Sequence, residues 1–146
     1  MVGLEQCDDG SDDSLGCNHD CSGDFQGYSC THTIGGTSSC NAICGDLFRV
    51  PPELCDDGTN LDGEGCLPDC SASLPKYSCS GGSLSSNDIC IPVCGDGFVL
   101  NPEACDDGVR LDSQGCQPDC SGPLSGWNCS PGDEDNPSLC DPICGD

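Results

Sequence analysis

The sequence predicts small disulfide-rich repeats, built mostly of turns and loops with short β-strands and strung into an elongated tandem array. Three observations carry that expectation. Eighteen cysteines fall among 146 residues, above the proportion that marks a disulfide scaffold. The cysteine spacing recurs three times, with a period of about fifty residues. Only six aromatic residues are present, beside 21 glycines and 11 prolines, so long helices, broad sheets and a large apolar core are all excluded. Stability must then come from covalent cross-links, bound metal or both.

The cysteines are Cys7, Cys17, Cys21, Cys30, Cys40 and Cys44, then Cys55, Cys66, Cys70, Cys79, Cys90 and Cys94, then Cys105, Cys116, Cys120, Cys129, Cys140 and Cys144. All eighteen are expected in disulfides, nine bridges in total. Written as a motif, the unit opens with C-G-D-(G/L)-F, continues through E-x-C-D-D-G to G-C-x2-D-C, and ends at a Tyr or Trp two residues before the next Cys, a variable Gly/Ser loop and C-x3-C-G-D. This phase divides the chain into repeat 1 (1–43, lacking its C-G-D opening), repeat 2 (44–93), repeat 3 (94–143) and the start of a further repeat (144–146). Both ends fall in mid-repeat, and "MVGLEQC" has neither a basic start nor an apolar run, so the sequence reads as a segment of a longer chain. Kept inside C-G-D-led units, the bridges would leave odd cysteines in repeat 1 and at Cys144. Phased from the C-D-D-G cysteine instead, the chain holds three complete sets of six. Six cysteines allow fifteen pairings, and spacing does not choose among them.

Local structure follows the same punctuation. "LFRV" (47–50) and "GFVL" (97–100) are short apolar runs closed by Pro or Asn-Pro, read as brief edge strands. Tyr28, Tyr77 and Trp127 occupy one position of the repeat, and Ile43, Val93 and Ile143 another. They are expected to form a miniature core against the bridges.

Acidic residues dominate the charge, 26 against three cations for a formal net charge of −23. Phosphate recognition needs a basic face, so nucleic acid is excluded as a partner. No run approaches the 18 apolar residues of a spanning helix, which excludes membrane insertion by that route. Many of the acids keep register between repeats. Asp8–Asp9, Asp56–Asp57 and Asp106–Asp107 follow the first cysteine of each C-D-D-G; Asp13, Asp62 and Asp112 stand four before the next; Asp20, Asp69 and Asp119 precede the third. Glu5, Glu53 and Glu103, and Asp46, Asp96 and Asp146, are likewise in phase. Two causes compete. A hard cation such as Ca2+ takes six to eight oxygen ligands, and loops this acidic are costly without a counterion. Alternatively, Asp-Asp-Gly and Asp-x-x-Gly are turns whose carboxylates bond nearby backbone N–H groups. Both remain open on sequence, with those twelve aspartates as the candidate Ca2+ ligands.

The string CGDGFVLNPEACDDGVRLDSQGC (94–116) resembles tandem cysteine-rich repeats of surface and secreted proteins of myxobacteria, ciliates and other protists, written CGDG...E.CDDGN...DGC...C. More distantly it is similar to the Notch/Lin-12-type repeats of pappalysins, which are calcium-dependent. The resemblance implies extracellular or cell-surface scaffold modules without enzymatic activity. The chain departs from it at Leu47, which replaces a Gly of C-G-D-G, and at Ser11, Thr59 and Val109, where Asn is expected.

Other chemistries find little support. His19 and His32 both lie in repeat 1, so a recurring His-based catalytic or zinc site is excluded, and thiolate zinc sites would add charge to an already anionic chain. Asn128-Cys129-Ser130 fits the N-glycosylation acceptor. The functional expectation is a non-enzymatic structural segment of a stalk, fibre or filament. Its partners are neighbouring repeats, other copies in a polymer, and glycans. The alternative is a calcium-dependent recognition or adhesion module of a larger secreted or surface protein.

Overall fold

A computed structural model of the protein describes residues 5–11, 15–33, 36–61, 65–110 and 115–145. Its regular structure is six short strands: β1 (Tyr28–Thr31), β2 (Ser39–Ala42), β3 (Tyr77–Ser80), β4 (Ile89–Pro92), β5 (Trp127–Cys129) and β6 (Cys140–Pro142). They pair as three separate two-stranded sheets, β1 with β2, β3 with β4 and β5 with β6. Among the described residues there is no helix. The chain forms two compact units, Met1–Cys90 and Ile91–Asp146.

The hairpins form where the sequence places a cysteine on each arm. In the antiparallel β1–β2 pair Cys30 lies directly opposite Cys40, and in β5–β6 Cys129 lies opposite Cys140. Their Cα atoms are 4.0 Å apart in both cases, near the close approach of a non-hydrogen-bonded cross-strand pair. A disulfide joins each pair, as one joins Cys79 to Cys90. Two-stranded hairpins are marginal alone in water; here the bridge locks the register.

The remaining bridges follow one pattern. Cys44 pairs with Cys70 and Cys94 with Cys120, each across 26 residues. Inside these loops Cys55 pairs with Cys66 and Cys105 with Cys116, while Cys7 pairs with Cys17 in repeat 1. Counted from C-G-D, the pattern is first with fourth, second with third, fifth with sixth. Among the described residues no disulfide crosses a boundary of the C-G-D-led units, whereas Cys44–Cys70 and Cys94–Cys120 each join two of the sets phased from C-D-D-G, which are therefore not self-contained. The expected nine bridges become eight among the described residues. Cys144 is exposed and is not among the bridged cysteines.

Two further expectations are corrected. Residues 47–50 and 97–100 are not strands. Their amide groups are taken singly by other acceptors: Phe48 and Phe98 donate to Asp46 and Asp96 Oδ1, Val50 and Leu100 to Glu53 and Glu103 Oε2, and Arg49 and Val99 to the Ser83 and Asp133 carbonyls. With those donors spent, no ladder propagates. The miniature core also differs from expectation. Tyr28 is buried, yet Ile43 and Ile143 are 40% and 48% exposed. The apolar interior is sulfur: Cys7, Cys17, Cys55, Cys66, Cys70, Cys94, Cys105, Cys116 and Cys120 are buried, joined by Val50 and Tyr28. In repeat 2, Cys66 Sγ lies 3.9 Å from Cys90 Sγ, so one bridge packs on the next.

Candidate functional site

The acidic turn of each repeat resolves into separate roles, set by which oxygen meets which amide. The first aspartate of C-D-D-G is an internal cap. Asp56 and Asp106 are completely buried. Asp56 accepts from Gly45 N–H at 2.9 Å and Gly58 N–H at 2.7 Å. Asp106 accepts four bonds, from the amides of Gly95, Asp96, Gly97 and Gly108. A carboxylate held by several amides is satisfied without a cation. Asp8 is only half-buried and accepts from Gly10 N–H at 2.9 Å.

The second aspartate ties the turn to the next cysteine. One oxygen of Asp9, Asp57 and Asp107 accepts from the residue two on, Ser11, Thr59 or Val109; the other accepts from Cys17, Cys66 or Cys116 N–H at 2.8 to 3.0 Å. This geometry explains the glycine of G-C. A Cβ on Gly115, whose φ is +70°, would stand 2.0 Å from Asp107 Oδ2. The third position, Asp20, Asp69 and Asp119, caps an exposed turn by accepting from Ser22, Ser71 and Ser121 N–H at 3.1 Å. Hydrogen bonding from those serines holds the three carboxyls below the usual carboxylate range.

The twelve candidate ligands therefore divide. Asp13, Asp62 and Asp112 lie outside the described residues. Of the others, only Asp56 and Asp106 bring an oxygen within 4.8 Å of further ligand-type groups: Asp56 meets Glu53 and bridged Cys70, and Asp106 meets Glu103 and bridged Cys94 and Cys120. Asp8, Asp9, Asp20, Asp57, Asp69, Asp107 and Asp119 join no such group with one another among the described residues.

The glutamates complete these pairs, in register but not among the twelve candidate ligands. Glu53 Oε2 accepts from Val50 N–H and Glu103 Oε2 from Leu100 N–H, both at 2.9 Å. The other oxygen of each is buried without a hydrogen-bond partner. Burial, with Asp56 and Asp46 beside Glu53 and with Asp106 and Asp96 beside Glu103, pushes both carboxyls above the usual glutamate range. Burial likewise raises Asp46. Glu53 also lines a groove of about 490 Å³ between the repeat 1 hairpin and repeat 2, with Tyr28, Pro51, Pro52 and Asp69. Glu103 lines the corresponding face of repeat 3, with Pro102 and Asp119.

Sequence reasoning passed over Asp88. It is 2% exposed and accepts from Asp56 N–H, Gly82 N–H and the Arg49 guanidinium at 3.1 Å. In repeats 1 and 3 Ser38 and Ser138 do the same work for Asp8 and Asp106. The sequence signal was there: Asp replaces Ser in the one repeat where Arg49 replaces the apolar Val99.

His32 is held between Asp24 Oδ1 and Ser38 Oγ, a local bond set in one repeat. Asn128 is exposed on β5 opposite Asp141, and the Ser130 hydroxyl accepts from Leu139 N–H.

The family described as a domain of unknown function (DUF4215) matches residues 24–71 and 76–121, more than half of the chain. The chain belongs to the DUF4215 family. Each matched DUF4215 copy runs from one hairpin through the C-G-D junction to the C-x3-C turn of the next repeat, so the first takes in both Tyr28 and the Cys44–Cys70 bridge. The chain is thus a tandem cysteine-rich repeat protein. Neither the curated proteins nor the solved structures offer a match.

Proposed function

We propose that this DUF4215 segment is a non-enzymatic extracellular scaffold, one stretch of a surface stalk, fibre or filament that contacts neighbouring repeats and other copies of itself. One observation carries the reading: most of the in-register acids that could serve chemistry are spent on backbone amides beside a disulfide. They maintain turns. Among the described residues eight disulfides favour an oxidising compartment, and no helix is long and apolar enough to cross a membrane. A glycan on exposed Asn128 belongs to the same reading.

Mechanical shortening is the property to measure. The covalent path through repeat 2 crosses from Cys44 to Cys70 and from Cys79 to Cys90 through sulfur, bypassing 26 and 11 residues. A single oxidised chain pulled from its ends should extend to about two fifths of its reduced length at 3.3–3.6 Å per residue. Equal extension in both states would defeat the scaffold reading.

The second reading, a calcium-dependent recognition or adhesion module, is favoured by the Glu53–Asp56 and Glu103–Asp106 pairs with their partnerless oxygens. Calorimetric titration with Ca2+ decides it. Heat that disappears in E53Q/E103Q supports a cation there, and no heat from the parent chain removes it.

A further inference from the structure

The joint inside the first compact unit specifies what its partner must look like. Gly27 has φ +90°, and a Cβ there would meet Val50 Cγ1 at 2.5 Å. Val50 is completely buried. Tyr28 Oη–H donates to the Pro51 carbonyl at 2.6 Å. Ile43 N–H closes on the Gly27 carbonyl at 2.8 Å, directing the chain into Cys44, which bridges to Cys70 of the same repeat. Repeat 1 therefore presents a glycine-floored socket walled by an aromatic ring, and repeat 2 supplies an apolar side chain and a carbonyl.

Repeat 3 carries the same socket. Gly126 has φ +82°, Ile143 N–H donates to the Gly126 carbonyl at 2.7 Å, and Trp127 pairs with Pro142 in the register that pairs Tyr28 with Ala42. Trp127 is only half-buried, whereas Tyr28 is 7% exposed, and Cys144 is exposed and unbridged. The indole Nε1–H can donate where the phenol does.

We propose that the Gly126–Trp127–Ile143 face is a docking socket for the amino-terminal half of another DUF4215 repeat, clamped by a disulfide from Cys144 to that repeat's C-x3-C cysteine. The occupant seats an apolar residue at the place of Val50 and a carbonyl at the place of Pro51. Closure removes two protons and two electrons from the two thiols and passes them to a small-molecule disulfide, which becomes two thiols. The inference rests on the scaffold reading and deepens it by naming a surface that receives another repeat.

The test extends the whole chain. Residues 1–144 are followed by a second copy of residues 45–93, which contains no Trp, so Trp127 remains the single fluorophore of its kind. Non-reducing peptide mapping should find Cys144 joined to the copied Cys70. Acrylamide quenching of Trp127 should fall about twofold against the parent chain as the ring is covered. Val50→Asp in the added copy should restore parental quenching while leaving the Cys144 bridge. The proposal is overturned if quenching is unchanged although the copy forms its own Cys55–Cys66 and Cys79–Cys90 bridges; the scaffold reading survives that result. Scrambled pairing of Cys144 overturns it, as does quenching in the parent that falls with concentration, since a second copy would then cover the face.

Discussion

At the scale of single residues, the protein handles its surplus of carboxylates by setting the first and second aspartates of each C-D-D-G turn against backbone amides. Asp88 accepts two amides and also meets a guanidinium. Ser38 and Ser138 donate nothing charged to the interior, whereas Asp88 brings a full charge to a site with 1% side-chain exposure, and Arg49 meets it from a partly solvated position. Removing one partner of a buried pair costs about 3–5 kcal/mol, because the other charge is left unpaired. Discounted for the exposure of Arg49, R49V should cost about 2–3 kcal/mol. Pairing R49V with D88S installs the Val–Ser combination of repeat 3 and should return stability to within about 1 kcal/mol of the parent. Guanidinium unfolding of the oxidised variants measures the cycle; additive losses would show that the two side chains are not coupled.

At the scale of elements, the hairpins and the acidic turns obey different rules. The strands are three or four residues long, too short to persist by propensity, and lie where cysteines face each other across a ladder. The apolar runs after C-G-D have better strand composition yet remain irregular, because Asp46, Glu53 and their repeat 3 counterparts intercept the amides first. Leu47 marks the same local control. It holds φ +80° where repeat 3 has Gly97 at +85°, a conformation that costs a non-glycine residue roughly 1 kcal/mol. The surrounding turn imposes it, since Gly45 and the Asp46 cap fix the chain on its amino-terminal side.

For the whole molecule, the net charge of −23 and the raised glutamates act in the same direction with pH. A carboxyl whose folded value lies above its unfolded one contributes stability that is fully present below the unfolded value and is lost as pH rises through the folded value. Glu53, Glu103 and Asp46 are of this kind. Asp20, Asp69 and Asp119 are of the opposite kind, contributing above the ordinary aspartate value and losing that contribution as pH falls through their lowered values. Stability should therefore rise as pH falls from 7 toward the ordinary glutamate value of about 4.3, then decline below the aspartate value of about 3.9. Guanidinium midpoints across that range check the shape. In E53Q/E103Q, which keeps the acceptor for Val50 and Leu100 but removes both charges, the rise should shrink and stability at pH 7 should increase by about 1 kcal/mol.

The sequence by itself determined the class of structure: cysteine density, the fifty-residue period and the poverty of aromatic residues leave a disulfide-knit repeat as the stable solution. It also marked the acids that matter, because Asp56, Asp57 and Asp69 keep register with the cysteines. Spacing could not reveal which cysteines meet, since a bridge depends on two Cα atoms arriving within about 4–7 Å, and Cys44 reaches Cys70 only after the intervening loop folds back on itself. Nor could it separate cation ligand from turn cap. A carboxylate looks the same in sequence whichever it does, and only the tertiary structure decided that Asp106 meets four amides while Glu103 is left with an oxygen that meets none.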